Sequence, residues 1–330
     1  MAERSNPHDE FFKYALGRPE TARDFLSNAL SPGVTALLDL ATVELASGSF
    51  VDTHLRAHFS DLLYRVKLRD GHDAYVYMLF EHKSYPEPQI AFQLLKYMVR
   101  IWERAMRDKT ALAPIMPLVI YHGAEHWRIG RNFQALLSLS PELAPYVPEY
   151  RYWLYDLSEY TDDEIKGEVL LRTALLALKH IYDEDLAEKA PGILALLRNL
   201  AASQSGLEYL EALLRYLATG SSKLTDVDLE RAVEAVFSAG GDEIMTTIYE
   251  KWVQKGRLEG RLEGRQETLQ EGIQLGLDGI ELALDAKFGA DGLRLLPEIR
   301  KIKDINQLKA VQVVVRTART PDEVRHALRQ

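Results

Sequence analysis

Two apolar-rich runs near the first third of the chain have strand character: residues 60–67 (SDLLYRVK) and 73–83 (DAYVYMLFEHK). Their β-branched and aromatic side chains suit a pleated, covered surface. The Asp70-Gly71 pair between them predicts a hairpin, because glycine accepts φ > 0. With the turn centred on Gly71, antiparallel pairing sets Asp61 opposite Glu81, within one residue. Val76, Met78 and Phe80 fall on one face of the second strand and Tyr75, Tyr77 and Leu79 on the other, so both faces are expected to be covered. Pro86 and Pro88 end this strand. Over residues 89–107 the period lengthens, with Ile90, Leu94, Tyr97, Met98, Ile101, Trp102 and Ala105 at helical spacing.

Residues 7–30 read as helical, and Ser31-Pro32-Gly33 as a break. An α/β core is expected from about Thr42 to Tyr155, with buried strands at 117–121 and 151–155. Apolar spacings of three and four predict helices over 170–182, 193–203, 207–218 and 226–237. The expected organisation is therefore an α/β domain over 1–160 and a helical region over 161–250 that packs on it or extends it. A glycine-repeat helix over 251–277 follows, then a small helical module over 278–330 with Leu282, Leu284, Phe288 and Leu295 as its core. Residues 256–267 repeat Gly-Arg-x-Glu three times. Glycine weakens a helix by about 1 kcal/mol per residue, so its recurrence every fourth position points either to a flexible linker or to close pairing with a second copy. Parallel pairing would set the arginine flank of one helix against the glutamate flank of the other, and predicts a homo-oligomer.

Asp61, Glu81 and Lys83 are the candidate chemistry. Alternation puts Glu81 and Lys83 on one face and His82 on the other. Facing positions in an antiparallel ladder have Cβ atoms about 4.5–5.5 Å apart, near enough for two carboxylates to share a Mg²⁺ ion with oxygens at about 2.0–2.1 Å. Strand ends also carry such charges simply because they are solvated, so the spacing alone leaves a plain hairpin open. A carboxylate and a lysine at the end of a doubly covered strand need a partner, either each other or a metal. On the helix that follows, Gln93 and Tyr97 are one turn apart and share a face.

Taken in order, Asp61, Glu81-x-Lys83 and Gln93-x-x-x-Tyr97 resemble the motifs of the PD-(D/E)XK nuclease superfamily, in its RecB-like branch. The blocks His8-Asp9-Glu10-Phe11-Phe12-Lys13, Ser60-Asp61-Leu62-Leu63 and Phe80-Glu81-His82-Lys83-Ser84 resemble the recombination-promoting nuclease family, also called YhgA-like transposases. So does Pro117-Leu118-Val119-Ile120-Tyr121-His122-Gly123 with Trp127. Ser60 stands where the superfamily name has proline, a position that serves the backbone more than the chemistry. The resemblance implies a restriction-endonuclease-like α/β fold, a mixed sheet flanked by helices, with an all-α C-terminal region. It implies a Mg²⁺- or Mn²⁺-dependent endonuclease that hydrolyses DNA phosphodiesters in recombination or transposition. Asp61, Glu81 and the His82 backbone carbonyl would hold the metal, Lys83 would orient or activate water, and Gln93 and Tyr97 would line the cleft. Asp9, or Glu10, would be an accessory acid, although Asp9 also suits a helix cap. An RNase would use the same residues, and an oligomeric scaffold would keep the fold without the chemistry.

Composition changes this picture little. The 330 residues are 47% hydrophobic and 27% charged, without cysteine, which excludes disulfides and thiolate metal sites and suits a cytoplasmic protein. No run is long enough for a membrane span. The net charge of −9 lies mostly in the C-terminal part: residues 1–130 carry 15 Lys and Arg against 16 Asp and Glu. Lys96, Arg100 and Arg104 form a basic stripe that could meet phosphates or simply be solvated. His122, Glu125 and His126 lack zinc-helix spacing and follow a strand, so they read as turn residues. The aromatic cluster Tyr146, Tyr150, Tyr152, Trp153 and Tyr155 reads as core and strand packing.

Overall fold

The computed structural model describes residues 6–46, 60–81, 86–237, 241–302 and 304–328, which fall into two compact units, Met1–Met245 and Thr246–Gln330. Prolines open the first unit. Pro7 and Pro19 stand where a helix leaves N–H groups unused, and they start α1 (Pro7–Leu16) and α2 (Pro19–Ala29). The single helical segment expected over 7–30 is thus two helices, because Gly17 closes α1 with its N–H on the Lys13 carbonyl.

Among the described residues five strands form one mixed sheet in chain order: β1 (Leu38–Leu45), β2 (Ser60–Leu68), β3 (Asp73–Glu81), β4 (Ile115–Tyr121) and β5 (Trp153–Asp156). The β1–β2 and β2–β3 pairs are antiparallel, and β3–β4 and β4–β5 are parallel. Helix α3 (Ile90–Arg107) is the crossover that the parallel β3–β4 pair requires. The architecture is α/β, a mixed sheet with flanking helices and a helical C-terminal region, as expected. Strand β1 had no sequence signal of its own. It is an edge strand, irregular between Asp39 and Glu44, and only Leu38 and Val43 within it are buried.

The sheet has two differently covered faces. Leu63, Tyr77, Leu79, Val119 and Tyr121 form a core with Ile90, Leu94, Tyr97 and Met98 of α3. The intervening residues Leu62, Tyr64, Val76, Met78, Leu118 and Ile120 are buried on the other face. There α1 and α2 lie against β2 and β1. The Tyr64 hydroxyl donates to the Leu16 carbonyl, and Phe25 meets Tyr155 edge-on.

Helices α4 (Val169–His180), α5 (Leu186–Ala195), α6 (Gln204–Gly220) and α7 (Asp226–Phe237) follow. Two of them, α4 and α6, pack on α1. The helix expected over 193–203 is displaced: α5 ends at Ala195, and residues 196–202 continue as turns. Bonds such as Leu197 N–H to Leu194 O keep Leu197 and Ala201 buried without an α-helix.

Helix α8 (Gly241–Leu293) carries the glycine repeat and has a non-helical residue at Gly289, φ 56°. In the second unit, Ile280, Leu284, Leu295, Ile299, Leu308, Val315 and Val324 form a core with α9 (Ile305–Thr317) and α10 (Pro321–Ala327). Leu282 is not part of this core, being 71% exposed. At 3.6 residues per turn Ile280 and Leu284 share a face and Leu282 points away. A Cβ at Gly272 would sit 2.8 Å from Ile305 Cδ1, so this glycine admits close approach of α9.

Candidate active site

The hairpin loop decides how the two acidic positions relate. It is a three-residue loop, Arg69-Asp70-Gly71, closed by the Leu68 N–H donating to the His72 carbonyl at 2.8 Å, with Gly71 at φ 92°. Its centre is Asp70 rather than Gly71, and moving the centre by one residue moves the pairing by two. Asp61 therefore pairs with Leu79, not Glu81, and Ser60 pairs with Phe80. The expected facing arrangement becomes a diagonal one. Diagonal neighbours are about 7–8 Å apart, against about 4.5–5.5 Å for facing ones. Leu63 and Leu79 both belong to the core under α3, so strand alternation assigns positions 61 and 81 to that same face. Glu81 ends β3, beside Tyr121 of β4, which in turn pairs with Asp156 of β5. His82 and Lys83 lie outside the described residues.

Helix α3 supplies the wall above these positions. Tyr97, 4% exposed, packs its ring 5.1 Å from that of Tyr77. Gln93 lies one turn earlier, roughly 6 Å along the helix. A crossover helix runs against its strands, and roughly 6.6 Å is two residues of strand. Gln93 thus stands near the level of Leu79, the residue paired with Asp61. Its Nε2 is buried and has no hydrogen-bond partner among the described residues. On the same helix Lys96 is exposed, Arg100 is half-buried, and Arg104 donates to Asp108 at 3.2 Å.

Asp9 and Glu10 occupy the first turn of α1, which covers the opposite face of the sheet. The His8 ring is 5.2 Å from that of His122, immediately after β4. The first turn of α1 is therefore at the same end of the sheet as Glu81, but behind it.

Sequence reasoning missed what His8 and His122 do there. His8 Nδ1 is 2.9 Å from the Tyr216 hydroxyl and its Nε2 is 3.3 Å from the Tyr182 hydroxyl. His122 Nδ1 donates to the Leu178 carbonyl at 3.1 Å, and its ring stacks on Tyr182. Burial pushes the Tyr182 phenol up to about 12 and that of Tyr216 well above its ordinary value, so both remain neutral. The partners lie 174 and 208 positions from His8, and no local pattern could announce them. His126 goes elsewhere, with its exposed ring 3.0 Å from Ser158 Oγ.

The chemistry of the candidate donors, two carboxylates and a backbone carbonyl, is that of a hard divalent cation. The unpartnered Gln93 amide offers a donor to a phosphate or carboxylate oxygen on the same face. By donor type Asp61, Glu81 and the His82 carbonyl are of the kind that holds a hard divalent cation.

A mixed sheet with acidic positions on adjacent strands beneath a crossover helix defines an α/β fold of nuclease-like class. Comparison with known proteins makes this specific. The family model described as "Putative transposase, YhgA-like" matches residues 6–208, and the chain belongs to this family. It is similar to the recombination-promoting nuclease RpnD of Escherichia coli O157:H7, 36% identical over 66% of this chain and 84% of the relative. RpnC of Escherichia coli K12 is 31% identical over 78% of this chain and 84% of its own length. A third relative from K12, RpnE, is named an inactive nuclease-like protein and is 34% identical over 62% of this chain and 69% of its own. No solved structure matches.

Proposed function

We propose that this protein is a Mg²⁺-dependent DNA endonuclease acting in recombination. The observation that carries this reading is the shared face: the register puts positions 61 and 81 on one face of adjacent strands, the face covered by α3, which bears the unpartnered Gln93 amide. Asp61, Glu81 and the His82 carbonyl would hold the cation, which when bound polarises a phosphodiester and acidifies water. Gln93 donates to a phosphate oxygen and positions the strand. Tyr97 walls the cleft and holds α3 against Tyr77. Lys83 orients the attacking water and balances the charge that develops at phosphorus. Because a close relative is named inactive, activity has to be tested on this chain.

Supercoiled plasmid should be nicked or cut with Mg²⁺ and left intact with EDTA. Asp61→Ala or Lys83→Ala should lower the rate by roughly 10²–10⁴-fold, the range for losing a positioned acid–base group, with the melting temperature unchanged. Unaltered cleavage in both variants would sink the assignment. Further readings we carry forward as proposals are a cytoplasmic location and self-association through the glycine repeat in α8, whose backbone is helical throughout that repeat.

A further inference from the structure

Strand β5 is last in the sheet order, and along its outer side runs a cavity of about 610 Å³. Arg131, Arg151, Trp153 and Tyr160 line it, together with Met116 of the neighbouring β4. The bridge between Asn132 and Arg151, and the Tyr152 N–H donating to the Arg131 carbonyl at 3.1 Å, hold the two arginine-bearing segments side by side. Both arginines are exposed, and neither has a side-chain hydrogen bond or ion pair among the described residues. Arg131 is near enough to Tyr152 and Tyr160 for its charge to pull both phenols down against the larger rise imposed by burial. It therefore faces the groove. Tyr160 stacks on the buried Tyr155 with ring centroids 4.7 Å apart, and Trp153 is half-buried. A base entering here would extend an existing stack.

Paired guanidinium groups suit phosphates, and aromatic planes suit unpaired bases. The acids of the lining do not reverse this. The Asp156 carboxylate is already committed, accepting from the Trp127 N–H at 3.0 Å and from Ser158. Asp156 and Glu159 together balance the charge of the two arginines, so the groove would take phosphates through the paired guanidinium groups rather than through net positive charge. The groove starts at Arg151, level with Met116, and reaches along β5 to Asp156, on the row of Glu81 and Tyr121. Trp153 and Tyr155 belong to the face of the sheet opposite α3, so a DNA strand bound here would pass around the β5 edge to reach Glu81. From the Asp156 end two strand spacings, roughly 10 Å, lead to β3, and Arg151 lies five residues before Asp156, roughly 16 Å of extended chain.

We propose that this edge groove is a guide site for a single DNA strand. Arg131 and Arg151 take successive phosphates, and Trp153 and Tyr160 stack the bases. The strand would lead to or from the candidate active site, so the identity of the ligand rests on the nuclease reading, while the groove itself does not.

The test is binding by the full chain of a 5′-fluorescein-labelled 20-mer of thymidine, followed by anisotropy in EDTA so that cleavage plays no part. The variant Arg131→Gln/Arg151→Gln changes two exposed side chains and should melt like the parent. Its affinity should fall at least tenfold, and the slope of log Kobs against log salt should drop by about 1.4, the release expected from two phosphates of a single strand. Trp153→Phe should lose much of the tryptophan quenching seen on titration. Failure of the parent to bind, or an unchanged affinity and slope in the double variant, overturns the groove. A protein that cuts plasmid through Asp61 but binds the 20-mer equally in both forms keeps the nuclease reading and loses this one. A protein that never cuts, yet binds through the two arginines, does the reverse.

Discussion

The two faces of the sheet meet the same end of β4 in opposite ways. Behind the sheet, His8 has tyrosine hydroxyls at both ring nitrogens and His122 donates to a main-chain carbonyl, in a cluster that ties α1 to α4 and α6. In front, under α3, the Gln93 amide is buried with nothing to donate to among the described residues. A polar group satisfied inside the protein stabilises the fold. One left unsatisfied costs about 1–3 kcal/mol, a cost that an outside group accepting from Gln93 would remove. On the proposed reading the His8–Tyr216–Tyr182 cluster serves stability and the Gln93 amide serves a ligand.

Substitutions that remove one polar group from each face should break this contrast if it is wrong. On the front face, Gln93→Met removes the unsatisfied amide while keeping its bulk. Cleavage should fall about 10–100-fold, the usual effect of losing a residue that supports a metal site. Melting temperature should hold or rise. A stability loss with full activity would make Gln93 a structural residue. On the back face, Tyr216→Phe should do the opposite. Leaving His8 Nδ1 without its partner should lower stability by about 1–3 kcal/mol in urea unfolding, with cleavage by the folded fraction intact.

The smallest effect is expected from pH. The Tyr182 phenol is held up to about 12 by burial, against 10.0 unperturbed. Its folded-state value lies above its unfolded one, so its contribution is complete below pH 10 and is lost as pH rises toward 12. Melting curves taken from pH 9 to 12 should fall less steeply for Tyr182→Phe than for the parent. The difference should be modest, because burial also raises Tyr64, Tyr155 and Tyr209. An identical decline would detach Tyr182 from the stability of the back face.

Much of the front face could be read from the chain because its signals are local. Alternation in β3, the Asp-Gly turn and the helical period of α3 each lie within a few residues of what they predict. Asp61, Glu81, Gln93 and Tyr97 stand out by those signals, and strand register puts positions 61 and 81 on the face that α3 covers. The back face was illegible for the opposite reason: the partners of His8 come from helices whose own periodicity says nothing about where they dock. Strand β1 went unread because an edge strand buries too little to show a pattern. Leu282 was misjudged because hydrophobicity alone does not say which side of a helix a residue occupies. Trp153 illustrates a subtler limit. An aromatic residue on an edge strand has the same sequence signature whether it fills a core or lines a groove.

The three-residue turn has one more consequence. The tightest closure open to this hairpin is the two-residue Asp70-Gly71 turn, the commonest use of that pair. It would be bounded by Arg69 and His72 and would bring Asp61 across from Phe80. Every side chain of β2 would then be reversed relative to β3, with Asp61 behind the sheet and Glu81 in front. Odd-length loops keep the acids together and even-length loops part them. The hairpin is in this sense a parity lock: the count of residues between Leu68 and His72, rather than their chemistry, keeps both carboxylates on one side.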